Sequence, residues 1–229
     1  MHLLPDRITA LPRRSIAGLL ALLLVLPTAL SASIPAEAQG CAAALGGELS
    51  GTEEQLDTSL DFLSWNIQKA SNEGWREDLR NFASDVHLAF IQEAAVQASI
   101  TGALPVRMHQ AFAAGYSTAK RETGVLTLSS GAPSLRCHLT AREPWLGTPK
   151  ATSITEHPIR GRQERLLAVN MHAVNFALGL QEFREQVHAL EVVMDNHRGP
   201  VIFAGDLNTW SAGRQALVDA FMHKHGLQP

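Results

Sequence analysis

The sequence predicts a layered α/β domain. Seven short apolar runs read as strands, amphipathic helical patterns lie between them, and the 229 residues, 45% hydrophobic and 18% charged, suffice for one substantial core. A net charge of -3 gives no basic footprint of the kind that non-specific polyanion binders carry.

The N-terminus reads as an export signal. Arg13 and Arg14 precede the apolar run 16–30, and small residues follow in "SASIPAEAQG". The run is broken by Pro27 and is shorter than the roughly 20 residues that a spanning helix needs. Residues 1–38 are therefore expected to be a signal peptide cleaved after Ala38, with an uncleaved anchor as the alternative. The expected product is a periplasmic or secreted monomer with no stable membrane span. Residues 39–58 read as a polar linker ahead of a domain over 59–229. Cys41 and Cys137 would mature in an oxidising compartment, where a disulfide and two buried thiols are both open readings.

Along the domain the elements follow in order. "DFLSWNI" (61–67) is bounded by polar residues as a strand should be, and the pattern over 73–83 puts Trp75, Leu79 and Phe82 on one helical stripe. "VHLAFIQ" (86–92), "TGVLTLSS" (123–130), "SLRCHLT" (134–140), "ATSITEH" (151–157) and "ERLLAVNMHA" (164–173) are further strands. Over 177–196, Leu180, Phe183, Val187, Leu190 and Met194 recur at alternating spacings of three and four, while Glu182, Arg184, Glu185 and Glu191 face elsewhere. "GPVIFAG" (199–205) is the last strand, and a helix from 212 onward carries Leu217, Phe221 and Met222.

Four strands end on residues that packing does not call for: Asn66, Glu93, Asn170 with His172, and Asp206 with Asn208. Singly, each has an ordinary explanation. Asn66 suits an Asx turn, Glu93 the start of a solvated helix, His172 a satisfied core histidine, and Asp206 with Asn208 turn and cap chemistry. Jointly they form a different object. Carboxylates and amides gathered at one end of a sheet suit a hard cation such as Mg²⁺, with Mn²⁺ as an alternative, and amide or imidazole donors suit phosphate oxygens.

The ordered set "WNIQ", "IQEA", "TGVLTLS", "VNMHA" and "AGDLNTW" resembles the endonuclease/exonuclease/phosphatase superfamily over about residues 61–229. The resemblance implies a four-layer α/β sandwich, two mixed β-sheets flanked by helices, and a metal-dependent phosphoesterase. It implies Glu93 as principal metal ligand with Asn66 assisting, Asp206 positioning the water nucleophile, and Asn208 bonding the scissile phosphate. It further implies His172 as donor to a phosphate or leaving-group oxygen, with Asn170 supporting from the same strand. Tyr116 and Lys150 are candidate phosphate contacts, each against the reading of an ordinary surface side chain. The substrate class stays open among nucleic acid, sugar phosphate and phospholipid head group; no long aromatic insertion favours a lipid surface.

One departure stands out. Members of the superfamily end on a strand carrying Ser-Asp-His, and none of His197, His223 and His225 has those neighbours. The chain as written is thus expected to lack C-terminal strands, to leave a sheet edge uncovered, and to hydrolyse weakly. A catalytically inactive phosphate- or metal-binding remnant of the same fold is the alternative.

Overall fold

A computed structural model describes residues 35–49, 51, 54–177 and 179–229. The signal-like run lies outside these residues. None of the described helices is long and apolar enough to cross a membrane.

The chain runs α1 (Ala36–Ala44), β1 (Phe62–Asn66), α2 (Trp75–Phe82), β2 (Leu88–Ala95), β3 (His109–Ser117), β4 (Glu122–Ser129), β5 (Leu135–Arg142), β6 (Pro149–Pro158), β7 (Arg165–His172), α3 (Gln181–Met194), β8 (Val201–Asp206) and α4 (Ala212–Lys224). The strands form two four-stranded sheets, ordered β1-β2-β4-β3 and β5-β6-β7-β8. Each is mixed: β1 runs parallel to β2 and β8 parallel to β7, while the other neighbours are antiparallel. Helix α2 covers the first sheet through Trp75 and Leu79, and α1, α3 and α4 pack with the second around Phe183, Leu190, Val193 and Phe221. This is the expected four-layer sandwich.

The two sheets face each other across a polar seam. Asn170 Nδ2 on β7 donates to the Leu126 carbonyl of β4 at 3.2 Å, and Gln92 Nε2 on β2 donates to Asn170 Oδ1 at 2.8 Å. Leu88, Phe90, Leu166 and Ala168 pack apolar surface beside the seam. A buried amide left unpaired is costly, so these bonds fix the register of one sheet on the other.

Several expectations change. The start of the segment expected as a linker is helical: α1 runs through Ala44, Ala38 and Cys41 are buried, and Cys41 is bridged to Cys137 of β5. The helix is short and built mostly of small residues, with only Ala38 and Cys41 buried, so it shows no stripe of large apolar side chains by which to read it. Strand β3, "HQAFAAGYS", also escaped notice because its alanines and glycine give weak β propensity. Phe82 leaves its stripe; it is 59% exposed and meets Trp65 edge-on, with ring centres 6.1 Å apart. Strands β1 and β3 end the first sheet and β5 and β8 the second, and Phe62 on β1 is 53% exposed.

Candidate active site

Both parallel strand pairs deliver polar residues to the same end of the sandwich. In the first sheet, the register of β2 against β4 slips between Ile91 and Ala94, and Glu93 within the slip takes φ 50°. A bulge of this kind redirects a side chain out of the ladder, and left-handed backbone at a non-glycine residue is held in place by its surroundings. In the second sheet, Gly205 has φ 145°, and a Cβ there would lie 1.9 Å from the Met171 carbonyl oxygen. Only glycine lets β8 approach β7 so closely. The next residue, Asp206, then stands in register with His172.

Helix α4 takes its cap from Ser211, whose Oγ accepts from the Arg214 N–H at 3.4 Å, so Asp206 and Asn208 are not spent on capping. Asp206 Oδ2 accepts from Asn66 Nδ2 at 2.9 Å and lies 3.7 Å from His172 Nε2. Asn66 makes its Asx turn too, Oδ1 accepting from the Gln68 N–H at 3.0 Å, yet that oxygen keeps a second lone pair.

A cleft of about 430 Å³ opens beside this group, and Glu93, Tyr116, Lys150 and His172 line it together with Lys69 and Glu143. Lys69 Nζ bonds Glu93 Oε2 at 2.6 Å. Burial works to raise the Glu93 pKa, but the bond and charge of Lys69, with the fields of His172 and Lys150, carry it below the ordinary carboxylate value. Lys150 is not the solvated lysine of the ordinary reading: its side chain is 14% exposed, and Nζ lies 3.0 Å from His172 Nε2 and 3.7 Å from Glu143 Oε1.

His172 turns its Nε2 toward Lys150 in this structure. Burial, then the adjacent Lys150 charge, pushes its pKa down to about 4, so the imidazole is neutral near pH 7. Its Nε2 faces an ammonium group and accepts from it. Asn170 is fully buried in the inter-sheet seam and supports the site from inside. Asn208, at φ 48°, gives its Nδ2 to the Ala173 carbonyl at 3.0 Å and its N–H to Asp206 Oδ1 at 3.3 Å, so it holds the turn together in this state.

Three residues were invisible to sequence reasoning. Lys69 lies in a left-handed segment after β1, Glu143 looks like a loop acid in "REPWLG" yet is 1% exposed, and Arg214 looks like a helix-surface arginine yet is fully buried. Glu143 Oε1 accepts the Asn175 N–H at 3.0 Å, so it anchors the loop after β7 as well as facing Lys150. The later histidines stand apart from the cleft: His197 Nδ1 lies 3.8 Å from Glu156, and His225 stacks on Phe221 at 4.8 Å. His223 sits in the last turn of α4.

Residues 63–220 match the model of the Endonuclease/Exonuclease/phosphatase family. UPF0294 protein VP2298 of Vibrio parahaemolyticus is 34% identical over 193 residues, covering 80% of this chain and 67% of that protein. A UPF0294 protein of Vibrio cholerae is 36% identical over 178 residues, covering 76% of this chain. The chain spans only 62% of that relative's length. Among solved structures, an endonuclease/exonuclease/phosphatase family protein from Leptotrichia buccalis superposes with a TM-score of 0.54 at 10% identity, covering 72% of this chain and 74% of its own. Sphingomyelinase C from Streptomyces griseocarneus gives 0.52 at 19% identity, covering 73% and 69%. At such identities the structures speak for the fold alone. With a family model matched across most of its length and the two-sheet sandwich that goes with it, the chain belongs to the endonuclease/exonuclease/phosphatase family.

Proposed function

We propose that the chain hydrolyses phosphoesters with the help of a divalent cation, outside the cytoplasm. The observation that carries the reading is that Asp206, held by Asn66 and 3.7 Å from His172, stands beside a cleft whose wall carries a second carboxylate, Glu93, and a nearly buried ammonium, Lys150. The Cys41–Cys137 bridge favours an oxidising compartment.

The residues fit a hard cation. Among the described residues no three His, Cys, Asp or Glu side chains cluster as a metal-binding group. A Mg²⁺ ion held by one carboxylate, one amide oxygen and water needs no such cluster. Glu93 and Asn66 would hold it, and Glu93 already carries a cation in Lys69 Nζ. Such an ion, when bound, neutralises charge on the phosphate and on the departing oxygen.

The chain's own groups do the rest. Asn66 Nδ2 holds Asp206 Oδ2, so the carboxylate is aimed to take a proton from water as the water oxygen bonds to phosphorus and the P–O bond to the leaving group breaks, the departing oxygen taking its proton from solvent. Lys150 binds a phosphate oxygen, and neutral His172 fixes the ammonium without adding repulsion. Tyr116, 45% exposed on the cleft wall, contacts the substrate beyond the phosphate.

The test is turnover of bis(p-nitrophenyl) phosphate and p-nitrophenyl phosphate with Mg²⁺, in the native chain and in Asp206→Asn. Turnover in the first, lost in the second without a fall in melting temperature, supports hydrolysis. Phosphate binding with no turnover in either would favour a non-catalytic binding role.

A further inference from the structure

Four large side chains stand out of the surface beside the cleft: Trp145 is 70% exposed, Leu146 62%, Phe176 59% and Trp210 64%. They come from three loops, between β5 and β6, after β7 and after β8. No single insertion carries them, so their grouping is a product of the fold. Trp145, Phe176 and Trp210 line an apolar hollow of about 580 Å³. Phe176 also lines the cleft, as does Leu146, so the hollow adjoins the cleft across the Phe176 side chain.

The rim is held firmly. Trp210 Nε1 donates to Asn175 Oδ1 at 2.9 Å, and the Arg214 guanidinium lies 4.6 Å from the centre of its ring. Asn175 is anchored in turn by Glu143, the acid that faces Lys150. The polar edge of Trp210 is thereby satisfied within the protein while its apolar body stays in water. Soluble surfaces rarely expose so large a contiguous apolar group unless something binds there.

A basic tip adjoins the same mouth. Tyr116 and Thr123 line the cleft on either side of the β3–β4 turn, whose tip carries exposed Lys120 and Arg121. Gly115 packs that hairpin against the Pro149 carbonyl at the start of β6, next to the loop that carries Trp145 and Leu146.

We infer that this rim seats the apolar part of an amphiphilic phosphodiester, so that the chain works on phospholipid at a bilayer surface. The two tryptophans, Phe176 and Leu146 sit at the level where amphipathic rings partition into the interface, and Lys120 with Arg121 faces anionic head groups. The head-group phosphodiester then enters the cleft toward Lys150 and Asp206, a last step that rests on the hydrolytic reading above. A base-stacking platform is the competing occupant. It would draw on π faces along a basic track, whereas here an aliphatic side chain shares the rim and the chain carries a net charge of -3.

The experiment is co-sedimentation of the whole chain with phosphatidylcholine vesicles, with and without phosphatidylglycerol, alongside hydrolysis of vesicle lipid and of bis(p-nitrophenyl) phosphate. The native chain is expected to partition onto both vesicles, more strongly with phosphatidylglycerol. Trp145→Ala, a change at an exposed position that lines only the hollow, should lower partitioning and vesicle-lipid hydrolysis about tenfold and leave the soluble diester unaffected. Lys120→Gln with Arg121→Gln should remove only the phosphatidylglycerol increment. Equal partitioning of native chain and Trp145→Ala, or a native chain left in the supernatant with both vesicles, overturns the inference. So does a single-stranded oligonucleotide that quenches tryptophan emission in the native chain and fails to in Trp145→Ala. Vesicle binding that depends on Trp145 with no turnover of either substrate would instead sink the hydrolytic reading and leave the lipid-seating rim standing.

Discussion

Arg214 Nη1 donates to the Asn208 carbonyl at 3.2 Å, which ties the first turn of α4 to the turn that holds Asp206. The same guanidinium donates to the carbonyls of Val174 and Asn175 and lies over the rings of Phe183 and Trp210. One fully buried cation thus locks the two loops that follow β7 and β8.

Replacing Arg214 by Met keeps much of the length and removes every donor. Three carbonyls, one buried and two part-buried, then lose a charged partner, and each unmade bond costs about 1–3 kcal/mol. The expected loss is roughly 3 kcal/mol or more, a fall in melting temperature on the order of 10 °C for a chain of this size. Arg214→Lys, with charge but no planar fork, should fall between. Circular dichroism melts decide it, and an unchanged midpoint in Arg214→Met would show that the clamp carries no stability.

The pair Lys69–Glu93 sets up a competition at the candidate metal position. The ammonium holds the carboxylate that an incoming cation needs, so the two variants should move in opposite directions. Glu93→Gln is expected to weaken Mg²⁺ at least tenfold by calorimetry, since a formal charge leaves an oxygen-ligand site. Lys69→Met should tighten it. Equal affinity in native chain and Glu93→Gln would remove Glu93 from the site.

Acid should unfold the domain through its neutral histidines. Burial first, with nearby positive charge adding to it, pushes the pKa values of His157 and His172 down to about 4 from 6.5. The unfolded chain therefore binds protons that the folded chain refuses. Their contribution is complete above pH 6.5 and is lost as pH falls from there to about 4, on the order of 3 kcal/mol for each. Glu93, with a lowered pKa, adds a further loss below the ordinary carboxylate value. Urea midpoints that stay level between pH 7 and pH 4.5 would contradict this account.

What the sequence made legible follows a physical division. Strand ends that carry Asn66, Glu93, His172 and Asp206 could be read because a buried strand gives no packing reason for such residues. Lys69, Glu143 and Arg214 could not be read, since a charged residue in a loop or on a helix is ordinarily solvated; only the fold turns these three inward. The aromatic rim was hidden for a related reason. Trp145, Phe176 and Trp210 are separated in the chain and meet only when three loops close on one end of the sandwich. Asn170 was legible as a partner of the site, but its bonds to Gln92 and Leu126 reveal a buried post between the sheets, not a group facing substrate.

Processing and oxidation at the N-terminus should both respect α1. Cleavage after Ala38 would cut within its first turn, detach a fully buried alanine, and remove Glu37, whose Oε2 accepts the Thr140 N–H of β5 at 2.9 Å. A mature chain that keeps α1 whole begins at or before Pro35, whereas one that begins at Gln39 lacks its first turn. The bridge from Cys41 to Cys137 spans 96 residues and fastens that helix to the second sheet. In the chain-entropy treatment a loop of this size contributes about 4–5 kcal/mol, chiefly by restricting the unfolded chain. Exported protein should therefore show one linked Cys41–Cys137 peptide on non-reducing mapping, an N-terminus at or before Pro35 by sequencing, and a clear drop in its urea midpoint on reduction. A mature chain that begins at Gln39 and retains the same midpoint would show that the first turn of α1 adds nothing, and free thiols in the exported protein would remove the bridge from the account of its stability.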